Sequence, residues 1–167
     1  MNTSRFLSLP NILKPVLLIL TLIIVIIVGV SKIKEGEHAT GSWFFWLNII
    51  IQLVWTFVVC VFFLMGIESL ITCGRSAWPL CETVYSAIFF VCNLINTFLV
   101  ANWVGKSDDS SGALVAAALI AFVMMVLYAL GGVMMFRLYR GFVQSGAQQN
   151  PTGDVQPGTI GQMHPGV

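Results

Sequence analysis

Five reactive side chains crowd one short polar stretch, "GIESLITCGRSAWPLCETVY" at residues 66–85: the carboxylates Glu68 and Glu82, the thiols Cys73 and Cys81, and the guanidinium of Arg75. Paired carboxylates can do acid–base work. Paired thiols can close a disulfide or run thiol redox chemistry. Cysteines beside a membrane can carry a reversible acyl chain. Residue types alone do not choose among these chemistries. The elements that hold the stretch do.

Those elements are apolar. The 167-residue chain is 57% hydrophobic and 9% charged, with a mean hydropathy of +0.91. A soluble domain carries about a quarter charged residues, so this is no water-soluble globule. Residues 15–31, 43–67, 83–103 and 112–136 contain no charge at all. Each is about as long as a helix needs to cross a bilayer, roughly 17 to 25 residues. Continuous apolar runs exclude the alternation of barrel strands. The expected fold is an all-α membrane protein, an antiparallel four-helix transmembrane bundle with short loops. Residues 16–30 also resemble the apolar core of a signal peptide, with Gly29-Val30-Ser31 as a poor cleavage site. The length of the run and the spread of Arg5 and Lys14 before it favour a retained helix.

The expected organisation is a cytosolic amino terminus over 1–11, a transmembrane domain over 12–141, and a disordered cytosolic tail over 142–167. In that tail Gln, Gly and Pro replace the aliphatics. Arg5, Lys14, Arg75, Arg137 and Arg140 then face the cytoplasm against Lys32, Lys34 and Lys106 outside, as the positive-inside rule favours. Arg75, Arg137 and Arg140 are the orientation charges, and Lys14 and Arg137 are expected to snorkel to the interface. Trp43, Trp46 and Trp103 fall on one membrane face, as interfacial anchors do. A net charge of +1 gives no electrostatic footprint for nucleic acid.

Helix three carries a polar stripe. Glu82, Ser86, Asn93 and Asn96 lie on one helical face, and Asn48 and Gln52 form a shorter counterpart on helix two. Interhelical hydrogen bonding is the plain reading of such groups. A polar pathway or ligand site is the sharper one. On helix four, Ala113, Ala117 and Ala121 recur every fourth residue as a smooth ridge for close packing, within the bundle or between copies.

Enzyme chemistry lacks materials. The two histidines, His38 and His164, lie in a loop and in the tail, so no Cys/His nucleophile, metal site or cofactor is expected. A membrane thiol oxidase needs a close redox pair, and no CxxC is present. With an inside amino terminus, Cys73 and Cys81 lie in a reducing cytoplasm, where a stable disulfide is not expected. They are instead candidate acylation sites. Glu68 and Glu82 read as helix-edge charges.

The stretch "WPLCETVYSAIFFVCNLINTFLVANW" (78–103), the aromatic opening "WFFW" of helix two and the exit "FRLYRG" from helix four resemble MARVEL-domain proteins of the MAL/plasmolipin or chemokine-like-factor branches. The resemblance spans residues 10–141. It implies an M-shaped, non-enzymatic protein with both ends cytosolic, at the plasma membrane or on endomembrane vesicles. It further implies work in trafficking, membrane apposition or the sorting of cholesterol-rich membrane. Its partners would be the bilayer and other membrane proteins, a second copy among them. The alternatives are a small transporter or channel accessory using the polar faces of helices two and three, and, less favoured, the thiol oxidase.

Overall fold

The computed structural model describes residues 11–65, 77–107 and 111–149. Among them run four α-helices: α1 (Leu13–Val30), α2 (Ser42–Met65), α3 (Ala77–Val104) and α4 (Ser111–Gln149). All four contain a stretch long and apolar enough to cross a membrane. Glu68, Cys73 and Arg75, together with residues 1–10, 108–110 and 150–167, lie outside the described residues.

Each helix starts where local chemistry permits. Pro15 and Pro79 occupy the first turns of α1 and α3, where a missing backbone N–H removes no helical hydrogen bond. Entry to α2 turns on Gly41, whose φ of +74° is a left-handed conformation that other residues rarely adopt. A Cβ there would also stand 2.8 Å from Leu99 Cδ2. The Gly41 carbonyl in turn accepts from the Phe44 and Phe45 amides at 3.1 and 3.2 Å.

Two helices outrun the charge-free spans. α3 begins at Ala77, six residues before the expected start at 83, because Glu82 faces inward and is paired there rather than marking the membrane edge. α4 continues to Gln149 past the expected end at 136, so residues 142–149 are helical instead of part of a disordered tail. Charge ends an apolar stretch but does not end a helix, and the next proline is Pro151.

The bundle is apolar outside, and its interior sets a line of polar groups within an apolar core. Ile19, Ile26, Ile50, Phe57, Ile88, Phe98, Leu119 and Leu130 all point outward. Thr21, Asn48, Gln52, Thr56, Glu82, Ser86, Asn93 and Asn96 are buried. A water-soluble protein has the reverse arrangement. In hydrocarbon the outer face needs no polarity, while every polar group needs a partner away from lipid.

The seams differ in width. α3 and α4 form the most extensive pairing, while α1 lies against both α2 and α4. At the close approach of α3 and α4, a Cβ on Gly132 would come within 3.2 Å of Ser86 Cβ. Ala117 and Ala121 are fully buried on α4, but Ala113 is exposed, so the expected alanine ridge loses its first member and continues instead through Met124 and Tyr128. α2 and α3 share few close backbone approaches. Large side chains bridge them: Phe45 to Trp103, Trp55 to Tyr85 and Phe63 to Trp78, with ring centroids 5.4, 5.6 and 5.3 Å apart.

Candidate functional site

A buried polar axis runs along the bundle interior. At one end, the first turn of α1 aims Lys14 inward, and its ammonium lies 2.7 Å from Glu82 Oε1 of α3. Both side chains are about 95% buried, at 4% and 5% exposure. The Lys14 ammonium also donates to Asn11 Oδ1 at 3.1 Å and sits 4.3 Å from the centre of the Phe63 ring on α2. The second Glu82 oxygen accepts from Trp78 Nε1 at 2.9 Å. One ion pair thus ties three helices. An unpaired charge in this position would be costly, and the extra hydrogen bonds and the cation–π contact offset desolvation of both ions. This corrects the expectation that Lys14 snorkels to the interface and that Glu82 marks a helix edge.

Beside the pair is a cavity of about 20 Å³, lined among others by Lys14, Thr56, Glu82, Tyr85, Ser86 and Tyr128. A space of that size accepts about one water molecule. One wall of it holds the contact between the Thr56 and Tyr128 hydroxyls, 3.2 Å apart, which joins α2 to α4.

Further along, Gln52 gathers the remaining helices. Its Nε2 donates to Thr21 Oγ1 of α1 at 3.3 Å and approaches Met124 Sδ of α4 at 3.6 Å. Its Oε1 accepts from Asn93 Nδ2 of α3 at 2.9 Å. The Thr21 hydroxyl donates to the Leu17 carbonyl at 2.7 Å, which leaves its oxygen free to accept from Gln52. The same Asn93 nitrogen donates to the Phe89 carbonyl at 2.8 Å. All four helices meet at one glutamine.

One turn beyond, toward the Lys106 end, Asn48 on α2 and Asn96 on α3 lie at about the same level and are both buried. That register follows from the Gln52–Asn93 bond and the antiparallel course of the two helices. Here four buried atoms have no partner: Asn48 Nδ2, Asn93 Oδ1, Asn96 Nδ2 and Asn96 Oδ1. The Lys106 end is then closed by loops. Trp103 Nε1 donates to the Thr40 carbonyl at 2.9 Å, and the Lys106 ammonium donates to the His38 carbonyl and to Thr40 Oγ1 at 3.2 and 3.1 Å. Trp103 is 98% buried, so it locks the core rather than anchoring at the lipid interface as expected. Trp43 is exposed, and Trp46 is half-buried near Gly29 of α1.

The other expected residues are dispersed. Cys81 is exposed near the start of α3, whereas Cys60 and Cys92 sit on α2 and α3, and all three thiols are free. Arg137 and Arg140 are exposed on α4 beyond the ion-pair end. Among the described residues, no three of His, Cys, Asp and Glu converge as a metal site would require.

Polar contributors that escaped sequence reasoning include Lys14, Thr21, Thr56 and Tyr128, with Asn11 and Trp78 beside the ion pair. A signal existed for the first two. Lys14, Leu17, Thr21, Ile24 and Val28 repeat at alternating intervals of three and four, which marks one helix face, and they form the buried face of α1. Thr56 likewise extends the Asn48/Gln52 stripe by one turn.

Fold and site define the class: an all-α, multi-pass membrane protein with its polar groups turned inward. Comparison with family models, curated proteins and solved structures finds no match to this chain.

Proposed function

We propose that this protein is a non-enzymatic organiser of membrane, acting in vesicle traffic or membrane apposition in the manner of the MARVEL-domain proteins its sequence resembles. One observation carries the reading. The bundle spends its strongest polar groups, Lys14–Glu82 and Gln52–Asn93, on holding helices together. What it presents outward is an apolar belt joined by short connections. Such a surface engages lipid and other membrane proteins. Both ends are cytosolic in this reading. With Lys14 buried, the orienting charges reduce to Arg5, Arg75, Arg137 and Arg140 against Lys32, Lys34 and Lys106. The exposed Cys81, with Cys73, is the proposed acylation site at that cytosolic face. Hydroxylamine-sensitive acyl labelling that survives Cys73→Ser plus Cys81→Ser would remove that role.

Proximity labelling from the carboxyl terminus in living cells tests the main reading. Trafficking or contact-site proteins among the neighbours support it, and a neighbourhood consisting of one transporter complex defeats it. That second outcome belongs to the alternative, a small transporter or channel accessory, which the partnerless amide atoms at Asn48, Asn93 and Asn96 favour. Solute flux in proteoliposomes that Asn93→Leu abolishes would establish the alternative and displace the first.

A further inference from the structure

The partnerless amide atoms gather within about one turn of the bundle. Asn93 and Asn96 are fully buried and Asn48 is 93% buried. The orientation of Asn93 is set, because its nitrogen already donates to Gln52 Oε1 and to the Phe89 carbonyl. The atom left over is therefore its oxygen, an acceptor. Asn96 contributes one donor and one acceptor whichever way its amide is turned, and Asn48 adds one further amide atom. Each such group costs about 1–3 kcal/mol when buried without a partner. Four within about one turn, in a seam bridged by side chains rather than by close backbone contact, are the polar groups of this interior that the chain itself leaves unsatisfied.

The chemistry of the four atoms restricts the occupant. Amide donors and acceptors together, with no charged side chain among them, do not suit a cation or an anion. They suit a small neutral molecule that donates and accepts at once. We infer that the α2/α3 seam is a binding site for a small uncharged hydroxylic molecule, water being the smallest, held by Asn48, Asn93 and Asn96. Toward the Lys106 end the Phe45–Trp103 contact and the Trp103–Thr40 bond close the axis. The site holds for a membrane organiser and for a transporter alike, so its test is independent of either reading.

The full chain, deuterated and carrying ¹⁵N-asparagine, is reconstituted in lipid nanodiscs, and its side-chain amide protons are probed for cross-relaxation with water. Asn48 and Asn96 are expected to show cross-peaks at the water frequency, with those of Asn48 lost in Asn96→Leu. Deuterated glycerol is then titrated in. Cross-peaks that persist assign water as the occupant. A saturable shift with loss of the water signal assigns a polyol. Absence of both signals in the unmodified chain overturns the site. Thermal stability gives a second readout, since leucine is close in shape to asparagine. An occupied site predicts a lower Tm for Asn96→Leu, because Asn48 and Asn93 lose a shared ligand. A higher Tm, from deleting two dry orphaned atoms, overturns the proposal.

Discussion

The two polar levels of this bundle follow opposite rules. At the Lys14 end, full charges are buried, and both the ammonium and the two carboxylate oxygens have partners within the chain. At the Asn48/Asn96 level the groups are neutral amides, and four of their atoms have none. Cost explains the difference. An unpaired ion in a low-dielectric interior destabilises by several kcal/mol, so the fold tolerates buried charge only when it is neutralised locally. An unpaired amide costs a fraction of that, and a molecule from outside the chain can offset it. The first level therefore reads as a structural clamp, and the second as a place for a ligand.

The largest test of this contrast is Glu82→Ala, which leaves Lys14 buried and uncompensated. A loss of about 3–5 kcal/mol is expected in reversible unfolding from mixed micelles. Lys14→Met combined with Glu82→Leu should recover most of it, because the pair is removed together. If the double variant were as unstable as the single one, the ion pair would not be the source of the effect. Next in size, Gln52→Leu severs the bonds to Thr21 and Asn93 and should cost about 1–2 kcal/mol. A change as large as that of Glu82→Ala would erase the distinction between charged and neutral levels. Smaller still, Trp103→Phe keeps the ring contact with Phe45 but deletes the bond to Thr40, for about 1 kcal/mol. Trp103 lies 21 residues along α3 from Glu82, about 30 Å at 1.5 Å per residue. The two changes should therefore add without coupling, and a double-mutant cycle between them measures whether the ends of the bundle act independently.

Much of the architecture was legible in the sequence, because hydrocarbon imposes a simple rule. Four charge-free runs of spanning length had to become helices, and short connections had to set them antiparallel. The stripe of Asn48, Gln52, Glu82, Ser86, Asn93 and Asn96 was legible through helical period alone, and all six are buried. Charge was the less reliable guide. Lys14 and Glu82 read as edge markers because a lone charge near a span end commonly snorkels. Their partnership joins residues 68 positions apart, on helices whose mutual placement no local pattern encodes. Trp103 was read as an anchor for a similar reason: tryptophan at a span end suits an interface, until a loop carbonyl such as that of Thr40 offers its indole a partner. Ala113 fits the four-residue ridge by spacing, yet it lies in the first turn of α4 and is exposed.

Local chemistry and the bilayer, acting along the chain, determined helix number, approximate span and which faces turn inward, since each follows from hydrophobicity and a period of 3.6. Only the tertiary structure decided which polar groups meet. Lys14 found Glu82, Gln52 drew four helices together, and Asn48 Nδ2 and both amide atoms of Asn96 were left without a partner in the chain. The reason is geometric. Hydrogen bonds between helices depend on axial register and rotation to within about an ångström, and that precision arises from packing the whole bundle at once.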